Sequence, residues 1–277
     1  MIEKTGAGVR GFSVGDKVTV EPQVFCGECY PCKTGRFNVC EKLSVFGVHR
    51  DGLSREYMAI DPKYLHKCPP DMSDELVTLV EPFAVGVGAV RRSANLKGAN
   101  VVVVGAGTIG NFTAQAAKAL GATKVLISDI SQAKLDYAAE CGIDECVNTK
   151  DRSLKDVIVE KFGKNRADII IDCAATPFTF KSILEAARQR SELIITGNYK
   201  EPVEFNVPLI QRQEITMLGH MMYVREDFQI AIELLSQGKI VTSKTVTRIF
   251  PFNEYDHAFK YADEHTEHVM KLMIGRI

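Results

Sequence analysis

An α/β fold built on a doubly wound parallel sheet is what this sequence predicts for most of its length, and three observations predict it. From about residue 83 onward, short β-branched runs alternate with segments of helical period. A glycine-rich turn, Gly105-Ala106-Gly107-Thr108-Ile109-Gly110, joins the first of these strands to the first of these helices. An acidic residue, Asp129, stands about twenty residues further on, at the end of the next strand.

Residues 1–82 have a different texture, of strands and loops. Val18-Thr19-Val20 follows the turn-like Val14-Gly15-Asp16, and Pro22, Pro31, Pro62, Pro69 and Pro70 interrupt any long helix. The alternating region starts with the strand Val101-Val102-Val103-Val104, and its helix carries Ile109, Phe112, Ala116 and Leu120 on one face. Val125-Leu126-Ile127 is a second strand, and Ser131 is placed to cap a helix with Leu135, Ala138 and Ala139. Ile169-Ile170-Ile171 reads as a strand buried on both faces. Thr176-Pro177 opens a helix with proline at its first position and a core face of Phe180, Ile183, Leu184 and Ala187. Leu193-Ile194-Ile195 and Ile215-Thr216-Met217-Leu218 are the later strands. Beyond Gly219 come two helices, one presenting Phe228, Ala231, Ile232 and Leu235, the other Tyr255, Ala258, Phe259 and Ala262. Val269-Met270-Lys271-Leu272-Met273-Ile274 is a short terminal strand, expected to return to the first domain. The expected organisation is therefore residues 1–82, 83–219 and 220–277.

The totals bound the function classes. A chain of 277 residues can bury two cores of moderate size. Its 34 Lys and Arg against 35 Asp and Glu give no general attraction to nucleic acid or anionic membrane. With no membrane-length apolar run and no signal-peptide core, the expectation is a cytoplasmic protein.

The glycine turn gives each residue a task. Gly105 permits the tight turn, Gly107 lets backbone approach a pyrophosphate, and Gly110 allows close packing of helix on sheet. Amides of the helix start, at Thr108 and Ile109 among them, and the helix dipole then hold phosphate charge. Asp129 can accept from both adenine-ribose hydroxyls and would repel a 2′-phosphate, so NAD is favoured over NADP.

Cys26, Cys29, Cys32 and Cys40 crowd into one short stretch, which in a cytosolic chain argues for metal before disulfides. Four thiolates complete a tetrahedral zinc shell with no open position, so a structural zinc is expected; an iron–sulfur cluster is the chemical alternative. Cys68, Cys141, Cys146 and Cys173 sit among apolar neighbours and read as buried, inert thiols.

With these motifs in place, the sequence resembles the zinc-containing medium-chain alcohol dehydrogenase family, in its polyol and sugar-acid branch of sorbitol, galactitol and galactonate 5-dehydrogenases. The resemblance is carried by Gly15-Asp16-Lys17-Val18, the cysteine cluster, Gly47-Val48-His49-Arg50-Asp51-Gly52, Val80-Glu81-Pro82-Phe83 and the glycine turn. It implies a Rossmann nucleotide-binding domain beside a GroES-like β-barrel catalytic domain, incomplete here, and a homo-dimer or homo-tetramer. It implies that Cys26, Cys29, Cys32 and Cys40 hold the structural zinc, and that Lys134 joins Asp129 at the adenosine ribose. Glu81 matches a catalytic-zinc ligand position; its plainer reading is an exposed glutamate before a proline at a helix start.

The family's other catalytic ligands lie in Gly-x-Cys-Gly-x-Asp and Gly-His-Glu stretches that this sequence does not contain. The chain thus reads as N-terminally truncated, with an incomplete catalytic zinc site. The expected function is oxidation of a secondary alcohol of a polyol or sugar acid with NAD. The alternative is an inactive homologue that keeps structural zinc and NAD; the missing early strands are expected to cause low solubility or self-association. His49 and His66 read as surface or packing histidines, with His49 a candidate for the substrate cleft. Asn111 and Arg190-Ser191-Glu192 depart from the family pattern in detail.

Overall fold

In a computed structural model the chain is described from residue 1 to residue 275. These residues form two compact units: residues 1–88 with 221–239, and residues 89–220 with the chain from 240 on. Among the described residues no helix is long and apolar enough to cross a membrane.

The first unit opens with β1 (Val18–Val20), β2 (Gln23–Val24), the one-turn α1 (Tyr30–Lys33), β3 (Ser44–Val45) and β4 (Leu65–Lys67). β1 runs antiparallel to β4, and β2 to β3. Then comes α2 (Asp74–Val90). Ser73 Oγ accepts from the Leu76 amide at 3.2 Å, and Asp74 and Glu75 meet the positive end of the helix dipole. Pro82 lies inside this helix. The expected boundary after residue 82 therefore falls within an element, and Glu81 sits in mid-helix. Proline costs a helix one amide hydrogen bond, but here Leu79, Val80, Phe83, Ala84 and Val87 are wholly buried around it and hold the helix together.

The second unit is the parallel sheet and its helices: β5 (Asn100–Val104), α3 (Thr108–Ala119), β6 (Lys124–Asp129), α4 (Gln132–Glu140), β7 (Glu145–Asn148), α5 (Leu154–Phe162), β8 (Ile169–Asp172), α6 (Pro177–Ala186), β9 (Glu192–Ile195), α7 (Val207–Gln213) and β10 (Thr216–Gly219). The strand order is β10-β9-β8-β5-β6-β7, every neighbour parallel. The sheet is thus wound outward in both directions from β5 and β8, which puts the topological switch at the end of β5. Central strands must be apolar on both faces. Val101, Val102, Val103, Ile170, Ile171, Leu193 and Ile194 are all fully buried, which answers that demand.

After β10 the chain gives α8 (Arg225–Ser236), β11 (Val246–Pro251), α9 (Tyr255–Glu264) and β12 (Lys271–Gly275). The segment that rejoins the first unit is the one carrying α8, whereas β12 pairs in parallel with β11 inside the second. The reason is local: Phe228 of α8 stacks on His66 at 4.8 Å between ring centroids and meets Tyr223 edge-on at the same distance. Met270, just before β12, accepts a hydrogen bond from the Thr108 hydroxyl.

Three local expectations differ from the structure. Tyr255 and Phe259 do not face the core of α9; they are 37% and 58% exposed, and the inward face is Ala258 with Tyr261, which packs on Phe250 at 5.6 Å. Ala139 on α4 is exposed, and Tyr137 is buried in its place with its hydroxyl on Thr245 Oγ1 at 2.5 Å. Ser131 stands at the N-cap of α4, but its side chain makes no capping bond, because its own amide is drawn to Asp129 Oδ1 at 2.8 Å. The Asn111 departure is absorbed: its carbonyl accepts from Gln115, which also bonds both backbone polar groups of Val241. Arg190 takes a left-handed φ of 62°, where a glycine would be unstrained.

At α6, by contrast, the Thr176 hydroxyl accepts from the Thr179 amide and the Thr179 hydroxyl accepts from the Thr176 amide, each at 3.0 Å. Thr176→Ala should therefore cost about 1 kcal/mol in urea denaturation, and Ser131→Ala close to nothing. Equal losses at the two positions would contradict the cap geometry.

Candidate functional site

The glycine turn lies at the carboxyl end of β5, where the sheet's winding reverses. Gly105 takes φ +98°, and a side chain there would stand 3.1 Å from the Ala174 amide nitrogen. At Gly110 the constraint is absolute, since a Cβ would lie 1.7 Å from the Gly105 carbonyl oxygen. That contact seats the first turn of α3 directly on the loop. Gly107 is the N-cap of α3, and a Cβ built on it meets nothing within 4 Å. The space beside Gly107 is open to a ligand. The first amides of α3, at Thr108 and Ile109, have no acceptor within their helix and concentrate its positive end there.

Asp129 closes the other side of this turn. Its Oδ2 accepts from the Ala106 amide at 2.6 Å and its Oδ1 from the Ser131 amide at 2.8 Å. Two amides fix the carboxylate, and each oxygen keeps a further lone pair for a hydroxyl group. Lys134 is half-buried in the first turn of α4, which starts just beyond. The structure thus brings together Gly105, Gly107, Thr108, Ile109, Gly110 and Asp129, with Lys134 on the neighbouring helix.

The four cysteines converge in the first unit. One sulfur from each of Cys26, Cys29, Cys32 and Cys40 lies within 4.8 Å of every other. The Cys26–Cys32 separation is 4.0 Å, Cys29–Cys40 is 3.8 Å and Cys26–Cys40 is 3.5 Å. A tetrahedral shell with Zn–S bonds of about 2.3 Å places its sulfurs about 3.8 Å apart, so the set fits one zinc. A cluster of several irons would need the sulfurs spread more widely. Backbone donors already face the sulfurs: the Cys29 amide is 3.4 Å from Cys26 Sγ, and the Cys26 and Lys42 amides are each 3.3 Å from Cys40 Sγ. In the metal-free cluster the Glu28 and Cys29 amides lower the Cys26 thiol to about 6, while burial pushes the Cys32 thiol up to about 12. All four positions are filled by sulfur, so this site is closed to substrate.

The remaining cysteines answer the expectation of inert thiols. Burial pushes up Cys68 and Cys141, raises Cys146 to about 11 and raises Cys173 to about 12.

Glu81 has company that the sequence did not announce. The Tyr223 hydroxyl donates to its Oε1 at 2.8 Å, across 142 residues of chain. Tyr223 is 1% exposed; its burial, reinforced by the Glu81 charge, raises its pKa, so the phenol stays a donor. Nearby in the same unit, Gln23 donates to the Tyr223 carbonyl at 3.2 Å, and buried Glu21 and His66 bond each other at 2.9 Å. His66 is thus a packing histidine, while exposed His49 accepts from the Val45 amide at 3.2 Å. Apart from the four cysteines, no group of three or more His, Cys, Asp or Glu among the described residues could hold a metal. Among the described residues Glu81 therefore lacks the two co-ligands a catalytic zinc requires, and these residues do not fit that ion.

Comparison with known proteins agrees with both halves of this geometry. Residues 108–237 match the family described as zinc-binding dehydrogenase, and residues 1–70 match the alcohol dehydrogenase GroES-like domain. Sorbitol dehydrogenase of Halalkalibacterium halodurans is 31% identical over 93% of this chain and 76% of its own length. L-galactonate-5-dehydrogenase of Escherichia coli is 34% identical over 89% of this chain and 72% of its own. A crystal structure of a short chain alcohol dehydrogenase (rspB) from Escherichia coli, complexed with NADH, superposes with a TM-score of 0.91 at 30% identity. It covers 98% of this chain and 80% of that one.

The glycines predict a contrast in stability. Gly110→Ala should lose roughly 3 kcal/mol or more, or fail to fold, whereas Gly107→Ala should change stability by less than about 1 kcal/mol. Chemical denaturation of the two variants checks it, and similar losses would refute the close contact at Gly110.

Proposed function

This chain belongs to the zinc-binding alcohol dehydrogenase family, and from that premise we propose that it oxidises a secondary alcohol of a polyol or sugar acid with NAD. The observation that carries the NAD reading is the seating of α3 on the Gly105 turn with Asp129 held against it. The substrate class rests on relatives named sorbitol and L-galactonate-5-dehydrogenase. When bound, NAD supplies the hydride acceptor.

The chain's own residues have these parts in the proposal. Amides at Gly107, Thr108 and Ile109 receive the pyrophosphate, and the helix dipole favours its charge. Asp129 accepts from the adenosine ribose hydroxyls, joined by Lys134, and its negative charge repels a 2′-phosphate. Cys26, Cys29, Cys32 and Cys40 hold a zinc that organises their loop and takes no part in chemistry. Glu81 is the proposed catalytic carboxylate, with Oε1 fixed by the Tyr223 hydroxyl. No metal-assisted step is assigned to it, since a lone carboxylate does not anchor a zinc ion. We place the protein in the cytoplasm, as a homo-oligomer.

A second reading is favoured by the solitary position of Glu81: a protein that binds NAD and one structural zinc without turnover. Metal analysis and an assay separate the two. Polyol-dependent NADH formation that Glu81→Ala abolishes supports the enzyme, and about one zinc ion per chain without activity supports the second reading.

Asp129→Ser tests the cofactor assignment under either reading. NADH affinity should fall about tenfold while NADPH affinity rises, as read by fluorescence titration. Unchanged affinities for both would remove Asp129 from the site.

A further inference from the structure

Asp172 ends β8 with its side chain wholly buried. A carboxylate in such a place must be surrounded by donors, and this one has three. Oδ1 accepts from the amides of Ala174 at 3.0 Å and Ala175 at 3.3 Å, and Oδ2 accepts from the Tyr199 hydroxyl. The Asp172 backbone carbonyl accepts two more amides, Thr196 at 3.0 Å and Gly197 at 2.9 Å. A single residue therefore ties together the turn after β8 and the turn after β9.

The two turns are held under tension and in close contact. Ala175 takes a left-handed φ of 55°, a conformation residues with side chains rarely adopt. Gly197 faces it so tightly that an added Cβ would lie 2.6 Å from the Ala175 Cβ. On the other side, Ala174 abuts Gly105 of the cofactor turn. Tyr199 is braced edge-on against Phe180 of α6, with ring centroids 6.0 Å apart. Burial and the adjoining carboxylate raise the Tyr199 pKa, so the phenol keeps its proton and donates.

Topology says what this arrangement faces. A ligand of a doubly wound sheet lies across the carboxyl ends of the strands at the switch point. With Asp129 at the end of β6 on one flank of β5, the second half of a dinucleotide extends over β8 and β9 on the other. We propose that Asp172, clamped by Tyr199, is a positioning residue for the nicotinamide half of the cofactor, holding the 173–176 and 196–199 turns in the shape that receives it. The proposal rests on the NAD reading above. Asp172 is wholly buried, so in this role it acts through the two turns and not by touching the ligand.

The test compares NADH with ADP-ribose, which lacks the nicotinamide half, by calorimetric titration of the zinc-loaded full chain. Asp172→Ala should weaken NADH about tenfold and leave ADP-ribose within about twofold. Tyr199→Phe, a milder change, should move NADH in the same direction, about threefold, and it decides the question where Asp172→Ala does not fold. Asp172→Asn should recover part of the loss, because its carbonyl oxygen still accepts two amides. Equal weakening of both ligands, or unchanged NADH affinity, overturns the proposal. A wild-type chain that binds ADP-ribose but not NADH overturns it while sparing the adenosine site. One that binds neither removes the NAD reading and this assignment together.

Discussion

The carbonyl oxygen of Gly105 occupies the space where any side chain at position 110 would begin. From this one contact the geometry of the nucleotide-binding unit follows. Because α3 can sit on the turn, its first amides open beside Gly107 instead of being covered by side chains. Because the turn is that tight, the Ala106 amide points to Asp129, and the end of β6 is drawn to the same place. On the opposite flank the turn leaves just enough room for Ala174, whose loop is pinned by Asp172. Packing, strand topology and charge converge there.

The cysteine loop solves a different problem. Between two-residue strands it carries only a one-turn helix and the 3-10 turn Phe37–Val39, short elements with few backbone hydrogen bonds of their own. Four sulfurs at tetrahedral spacing provide what the core cannot, since in small zinc peptides metal binding contributes on the order of 10–16 kcal/mol to folding. Glu81 shows the converse. It sits in mid-helix, bonded to a buried tyrosine, yet among the described residues it belongs to no group of three or more potential metal ligands. Four converging sulfurs at one place and a single carboxylate at the other thus lie within the same unit.

Much of the sheet was legible because its strands are buried on both faces and must be continuously apolar, as Val101–Val104 and Ile169–Ile171 are. The glycine turn and Asp129 were legible because steric tasks fix their residue types and spacing. The cysteines were legible because metal ligands have few substitutes. What escaped lacked such a constraint. β7 buries only Val147 fully and so shows no apolar run, and Pro82 disguised a helix that had already begun at Asp74. In α9 Ala258 is buried as expected, but Tyr255 and Phe259 are apolar yet exposed. Asp172 with Tyr199, and Glu81 with Tyr223, are partners 27 and 142 residues apart, and no local pattern encodes pairs of that range.

The most direct test of this account is diffraction from crystals of the chain grown with NADH. The account predicts density across the carboxyl ends of β5 and β6, with the pyrophosphate on the amides of Gly107, Thr108 and Ile109 and the ribose hydroxyls on Asp129. Density for the dinucleotide elsewhere, or an empty carboxyl edge at saturating NADH, would contradict it.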